Sequence, residues 1–210
     1  MRVLIGCESS GTVRDAFIAN GHDAISCDLL PTESPGPHIV GDVLHVLRDE
    51  RFDLAVFHPP CTYLCSSGLH WNKRRPERSA QTEQALDFVR ALMGSPVPRW
   101  LIENPIGCIS ERIRPPDQIV QPWQFGDDAS KATCFWLKGV NPIEPTRLAP
   151  PRIANKKPRW GNQTDSGQNK LPPSADRWRE RSRTYPGIAH AIADQLPKPL
   201  RQIQLFEEAA

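Results

Sequence analysis

No apolar run in this 210-residue chain approaches the ~20 residues that a membrane-spanning helix needs, and its mean hydropathy is -0.48. A soluble protein with no membrane partner is expected. The short N-terminal run Val3-Leu4-Ile5 lacks the length of a secretory h-region and leads straight into a turn rich in Gly and Ser. No signal peptide is expected, and the chain reads as cytoplasmic. The cysteines do not form a dense framework: Cys7, Cys27, Cys61, Cys65, Cys108 and Cys134 are scattered. Disulfides are therefore not expected in a reducing compartment. Paired CxxC spacing is absent as well. His58, Cys61, Cys65 and His70 are zinc-type side chains, but a Pro-Pro turn is unlike a zinc knuckle, so no metal is expected. The chain also lacks GxGxxG, internal repeats and low-complexity tracts.

Proline, in contrast, is abundant: 22 residues, about twice the usual share, with sixteen of them after residue 94. Regular structure is expected first and long irregular connections later. The hydrophobic content of 39% suits one well-buried domain at this length. Charge is uneven. From Pro145 to Thr184 ten Lys or Arg face three acidic residues, a net of +7, which leaves the rest at -5. Such a segment is a solvated loop or a footprint for a polyanion, and Trp160 and Trp178 within it favour the footprint.

The hydrophobic pattern predicts an alternation of strands and helices. Arg2-Val3-Leu4-Ile5 reads as a strand ending at a glycine turn. A helix follows with Val13, Ala16, Phe17 and Ala19 on one face, then a strand from Asp23 to Asp28. Further strands are predicted at Ile39–Val43, Asp53–Phe57, Trp100–Glu103 and Ala132–Leu137, with helices at Pro76–Met93 and Gly187–Leu196. Together they imply an α/β fold, a mostly parallel three-layer sheet whose ligands sit beyond the carboxyl ends of the strands.

The residues at those ends carry the chemistry. Backbone amides in the glycine turn can approach a ligand, and Asp28 can accept from ribose hydroxyls. Asp42 is either a second carboxylate at that edge or an ordinary loop cap. In His58-Pro59-Pro60-Cys61 two prolines stiffen the turn that presents a thiol, Cys61, as a possible nucleophile. Glu103, at the end of a buried strand, is expected to have a raised pKa and so to donate a proton near neutral pH. The simpler alternative is a salt-bridged strand end.

In this order the motifs Gly6 to Gly11, Asp28, Gly41-Asp42-Val43, Pro59-Pro60-Cys61 and Glu103-Asn104-Pro105 resemble those of the DNA cytosine C5-methyltransferases. Gln124-Phe125-Gly126, Lys131 to Gly139, Pro145-Thr146 and Arg183 to Ala189 look like the small phage- or prophage-associated members. The resemblance implies a Rossmann-like fold that uses S-adenosylmethionine to methylate C5 of a flipped-out cytosine in DNA. It implies Cys61 as nucleophile, Glu103 as the group that protonates N3, and Lys131 in place of a base-contacting arginine. Gly6, Glu8, Gly11, Asp28, Asp42 and Pro59 would contact the cofactor, and Ser66, Ser67, Lys156, Lys157, Arg159 and Trp160 the DNA.

On this view residues 1–138 form the catalytic core, 139–183 a reduced, loop-rich recognition segment, and 184–210 a helix returning to the core. No obligate protein partner is implied. Several departures stand out. Thr62 follows Cys61 where larger relatives carry Gln, the Gln-x-Arg-x-Arg element is missing, and the recognition segment is short. Competing readings are an amino-methyltransferase, an inactive DNA-binding decoy, and an enzyme that modifies a pyrimidine mononucleotide at C5.

Overall fold

The computed structural model describes residues 1–201. In chain order its elements are β1 (Arg2–Gly6), α1 (Thr12–Ala19), β2 (Asp23–Asp28), β3 (His38–Val40), α2 (Val43–Asp49), β4 (Leu54–Phe57) and α3 (Ser66–Leu69). A 3-10 turn at His70–Lys73 leads to α4 (Pro76–Met93), β5 (Trp100–Pro105), α5 (Ile109–Arg112) and β6 (Gln118–Val120). Then come β7 (Thr133–Lys138), β8 (Arg152–Ala154), β9 (Lys157–Arg159), α6 (Arg177–Ser182) and α7 (Pro186–Gln195). The last nine residues of the expected C-terminal element, 202–210, lie outside the described residues.

Seven strands form one sheet in the order β3-β2-β1-β4-β5-β7-β6, and β8 pairs only with β9. The first five strands are parallel, while β7 runs antiparallel to both neighbours. Strand alternation explains the three layers. In β1, Val3 and Ile5 point into one apolar core and Leu4 into the other; in β4, Leu54 and Val56 share the first core and Ala55 and Phe57 the second. Side chains of a strand face opposite ways at every step, so runs apolar on both faces need cover on both faces. One core takes Val13, Ala16 and Phe17 of α1 with Ile188, Ala189 and Ile192 of α7. The other takes Val46 and Leu47 of α2 and Leu86, Val89 and Leu92 of α4.

Local signals set the boundaries. Pro76 opens α4 and Gly94 closes it. Gly11 precedes α1 at φ 75°, a left-handed conformation that glycine adopts without a Cβ penalty. The expected strand through Val43 stops at Val40, because Asp42 caps a helix instead: its Oδ1 accepts from Leu44 N at 2.8 Å. Short elements carrying little periodicity, α2, α3, α5, α6, β6 and the β8–β9 hairpin, were outside the expectations. No helix among the described residues is long and apolar enough to cross a membrane.

Candidate active site at the strand edge

The carboxyl ends of β1, β2, β4 and β5 lie along one edge because these strands are parallel. Pairing of Phe57 with Ile102 sets the next residues, His58 and Glu103, side by side. Strand β7 runs the other way, with Thr133 opposite Pro105, so its entry, and Lys131 just before it, arrives at the same edge. Backbone register thus brings Cys61, Glu103 and Lys131 to one place, and a hydrogen bond links the two proline motifs. Asn104 Nδ2 donates to Pro59 O at 2.7 Å, with Asn104 only 1% exposed.

Below this the turn after Cys61 is stitched to the loop after β5. Ser66 N donates to Ile106 O at 3.0 Å, Cys108 N to Leu64 O at 2.9 Å, and Cys65 bridges Gly107. Ser66 and Ser67 open α3 on the exposed side, and Ser67 Oγ lies 3.2 Å from Cys65 Sγ.

Glu103 is 9% exposed and its Oε2 lies 3.2 Å from His58 Nδ1. Burial pushes the carboxyl pKa up. The His58 hydrogen bond, the Lys131 ammonium and the His58 imidazole outweigh that, and the net direction is down. The expectation of a raised pKa is thereby corrected: desolvation acts as foreseen, but two basic groups that strand register delivers overcome it. His58 is the site residue to which sequence reasoning gave no role. Its Nε2 is buried without a hydrogen-bond partner among the described residues.

The Cys61 and Cys65 thiols act on one another across one turn. The Cys61 thiol is pushed up, by the Cys65 hydrogen bond first, then by burial and by the charges of Cys65 and Glu103. Cys65 is lowered to about 5: the Cys61 bond is the largest cause, burial opposes it, and Ser67, the Gly68 backbone and Arg181 assist. The negative charge belongs on Cys65, the more exposed partner. Iodoacetamide labelling with peptide mass mapping should modify Cys65 at about pH 6 and slow as pH falls through its lowered pKa, because the thiolate is the nucleophile. Cys61 should be spared. Equal labelling of both thiols would refute the pairing.

The expected cofactor residues surround the β1–α1 turn but play different parts. Glu8 is 5% exposed and caps α1: Oε1 accepts from Val13 N at 2.7 Å and Oε2 from Arg14 N at 3.2 Å. Its carboxylate is thus occupied within the protein. Gly6 has no room for a Cβ beside Phe57 and Val43, with 2.7 Å to each. Asp28 Oδ1 accepts from Leu30 N at 2.9 Å. Asp28 and Asp42 both act on half-buried Cys7, where loss of solvent first and then these charges raise the thiol pKa, so the two carboxylates converge on this turn.

The expected DNA contacts divide. Lys156 and Lys157 are exposed on the β8–β9 hairpin, whose turn residues Asn155 and Lys156 have φ of 50° and 60°, the conformation of a two-residue hairpin turn. Arg159 is partly engaged, its Nε donating to Asp165 O at 3.2 Å. Trp160 departs from the expectation of a ring free to stack on a base. It stacks on Trp123 with ring centroids 5.2 Å apart, and its Nε1 donates to Ala149 O at 3.1 Å. A half-buried indole finds its best partners in the protein itself.

Open surface cavities occur elsewhere, one among Asn141, Glu144, Asp194 and Lys198 and another among His45, Arg48, Arg51 and Gly94. The convergent titratable groups are at the strand edge, which makes that edge the candidate site. No group of three or more His, Cys, Asp or Glu that could hold a metal ion occurs among the described residues. No protein-family model matches the chain, and no curated protein matches it.

Proposed function

We propose that the protein methylates cytosine at C5 in DNA, with S-adenosylmethionine as methyl donor and Cys61 as nucleophile. The observation that carries this reading is the meeting of a thiol, a carboxyl and an ammonium at one sheet edge, the Pro-Pro-Cys and Glu-Asn-Pro turns being tied by the Asn104–Pro59 hydrogen bond. Support for a nucleoside cofactor comes from the sheet order. It reverses direction between β1 and β4, the kind of switch point at which open α/β sheets hold ligands. The residues present fit such a group: Asp28 and Asp42 converge beside the β1–α1 turn, suited to ribose hydroxyls and an exocyclic amine. When bound, S-adenosylmethionine supplies an electrophilic methyl group.

The chain's own residues account for the rest. C5 of cytosine is too weak a nucleophile to take a methyl group unaided. Cys61 passes its proton to Cys65 and bonds to C6, which turns C5 into an enamine carbon. Glu103, held in place by His58, lies where it can take a proton from solvent and pass it to N3, and Lys131 holds negative charge nearby. Once C5 is methylated, its proton leaves to solvent, the S–C6 electron pair returns to the Cys61 sulfur, and N3 gives its proton back to Glu103. A stacked base cannot reach these groups, so the target must leave the duplex.

The deciding assay measures transfer of a tritiated methyl group to duplex DNA, single-stranded DNA and dCMP. Label in DNA and none in dCMP is expected; label in dCMP alone would replace this reading with mononucleotide modification, and none in any substrate would refute methyl transfer. Glu103→Gln should keep calorimetric affinity for the cofactor while transfer falls by ~10²–10⁴. An unchanged rate would reduce Glu103 to a structural strand end.

A further inference from the structure

Helix α6 has an unusual composition for an element folded onto a protein. None of its residues is buried, so no apolar stripe holds it down. Arg177, Arg179, Arg181 and Arg183 alternate along it and just beyond, and residues four apart share a helix face. The Arg179 and Arg183 pair grips Glu33: Arg179 Nε bonds Oε1 and Arg183 Nη2 bonds Oε2. Arg181 contributes its backbone carbonyl, which accepts from Lys131 Nζ at 2.8 Å, and its charge reaches Cys65. Trp178 is 60% exposed.

The other half of this clasp is rigid. Glu33 N donates to Ser9 O at 2.8 Å in the β1–α1 turn. On either side of it, Thr32 Oγ1 and Ser34 O take the guanidinium of fully buried Arg14 at 3.1 and 3.0 Å. A fixed carboxylate therefore offers one oxygen to each of two guanidiniums, on and just beyond a helix that has no buried residue to hold it down. Two oxygens on one anionic centre, each met by an arginine, is also how a phosphodiester is held.

Resting on the proposed function, we infer that α6 is the surface that receives the DNA backbone beside the catalytic edge, and that Glu33 occupies the phosphate's place until DNA arrives. Phosphates then take Arg179 and Arg183 from Glu33, while Trp178 offers a flat face to a base or sugar. The clasp spans the cofactor turn and the catalytic lysine, so DNA would be felt at both. The β8–β9 hairpin lysines would add further phosphate contacts.

The test is binding of a fluorescein-labelled duplex, followed by anisotropy across a salt series, for wild type, Glu33→Gln, Arg179→Ala/Arg183→Ala and the triple combination. Glu33→Gln should tighten binding about fivefold, the factor that two partly exposed ion pairs represent. The double arginine variant should shallow the salt dependence by roughly 0.9 in log-log slope for each lost phosphate contact, and in the triple variant the Glu33→Gln gain should vanish. Circular dichroism melts verify that each variant is folded. Equal affinity of Glu33→Gln and wild type, a parental slope in the double variant, or a gain that survives in the triple variant would overturn the inference. Binding that follows these expectations without methyl transfer would refute the proposed activity and leave α6 as a DNA surface; methyl transfer with an inert Glu33→Gln would do the reverse.

Discussion

Cys61→Ala is expected to transfer no methyl group and to form no trapped complex with DNA carrying 5-fluorocytosine. Fluorine at C5 cannot leave as a proton does, so the wild-type S–C6 bond, once made, persists through denaturing electrophoresis. Alanine has nothing with which to make that bond. Cys65→Ser separates the two thiols: it removes the thiolate that takes the Cys61 proton and leaves the attacking sulfur in place. It should still trap fluorinated DNA, with the pH at which trapping becomes fast displaced downward, because the bond and the charge that raise the Cys61 thiol are gone. If Cys61→Ala traps DNA and Cys65→Ala does not, the attacking sulfur is Cys65. The stiff turn then serves to hold the base in place, and Cys61 is not the nucleophile.

Gly107→Ala should cause the largest loss of order at the site. A Cβ there would lie 1.9 Å from Leu64 O and 2.9 Å from the Cys65 Cα, both backbone atoms that no side-chain rotation can move. Overpacking of this kind costs ~1–3 kcal/mol and occasionally more, and at this chain length each kcal/mol lowers the melting midpoint by about 2–4 °C. A fall of several degrees by calorimetry is expected. Faster iodoacetamide labelling of Cys61 should accompany it, because the bridge between Cys65 and Gly107 holds that turn against the loop after β5. Gly94→Ala is the control, since its nearest neighbour would be Arg90 O at 3.4 Å, an ordinary contact. A Gly107 variant as stable and as slowly labelled as the control would show that the turn is held by other means.

Much of the frame was legible in sequence because its signals are local. The β2 boundaries and the full span of α4 follow from apolar spacing and from Pro76, and the strand-end positions of Cys61 and Glu103 follow from the buried runs before them. What escaped depends on pairing between distant segments. Nothing near His58 announces Glu103, and the contact exists because Phe57 pairs with Ile102. The same partnership reverses the expected direction of the Glu103 pKa shift. Glu8 read as a ligand contact because its role as the cap of α1 depends on a turn geometry that residue identity leaves open. Trp160 could not be told from a free aromatic until Trp123 was seen against it. Glu33 and the arginines of α6, far apart in the chain, carried no sequence signal of their partnership beyond the net charge of the segment.

The pairing of α1 with α7 governs how the chain comes to be folded. Helix α1, made well before α7, turns Val13, Ala16 and Phe17 toward a face that Ile188, Ala189 and Ile192 complete. On a ribosome that apolar strip waits, uncovered, while the elements between α1 and α7 are made. Contacts so far apart along a chain form slowly, and exposed apolar surface in the interval invites association with neighbours. Rapid synthesis at high temperature should therefore yield inclusion bodies, and slower synthesis in the cold, or a chaperone that shields the strip, should favour recovery of folded protein.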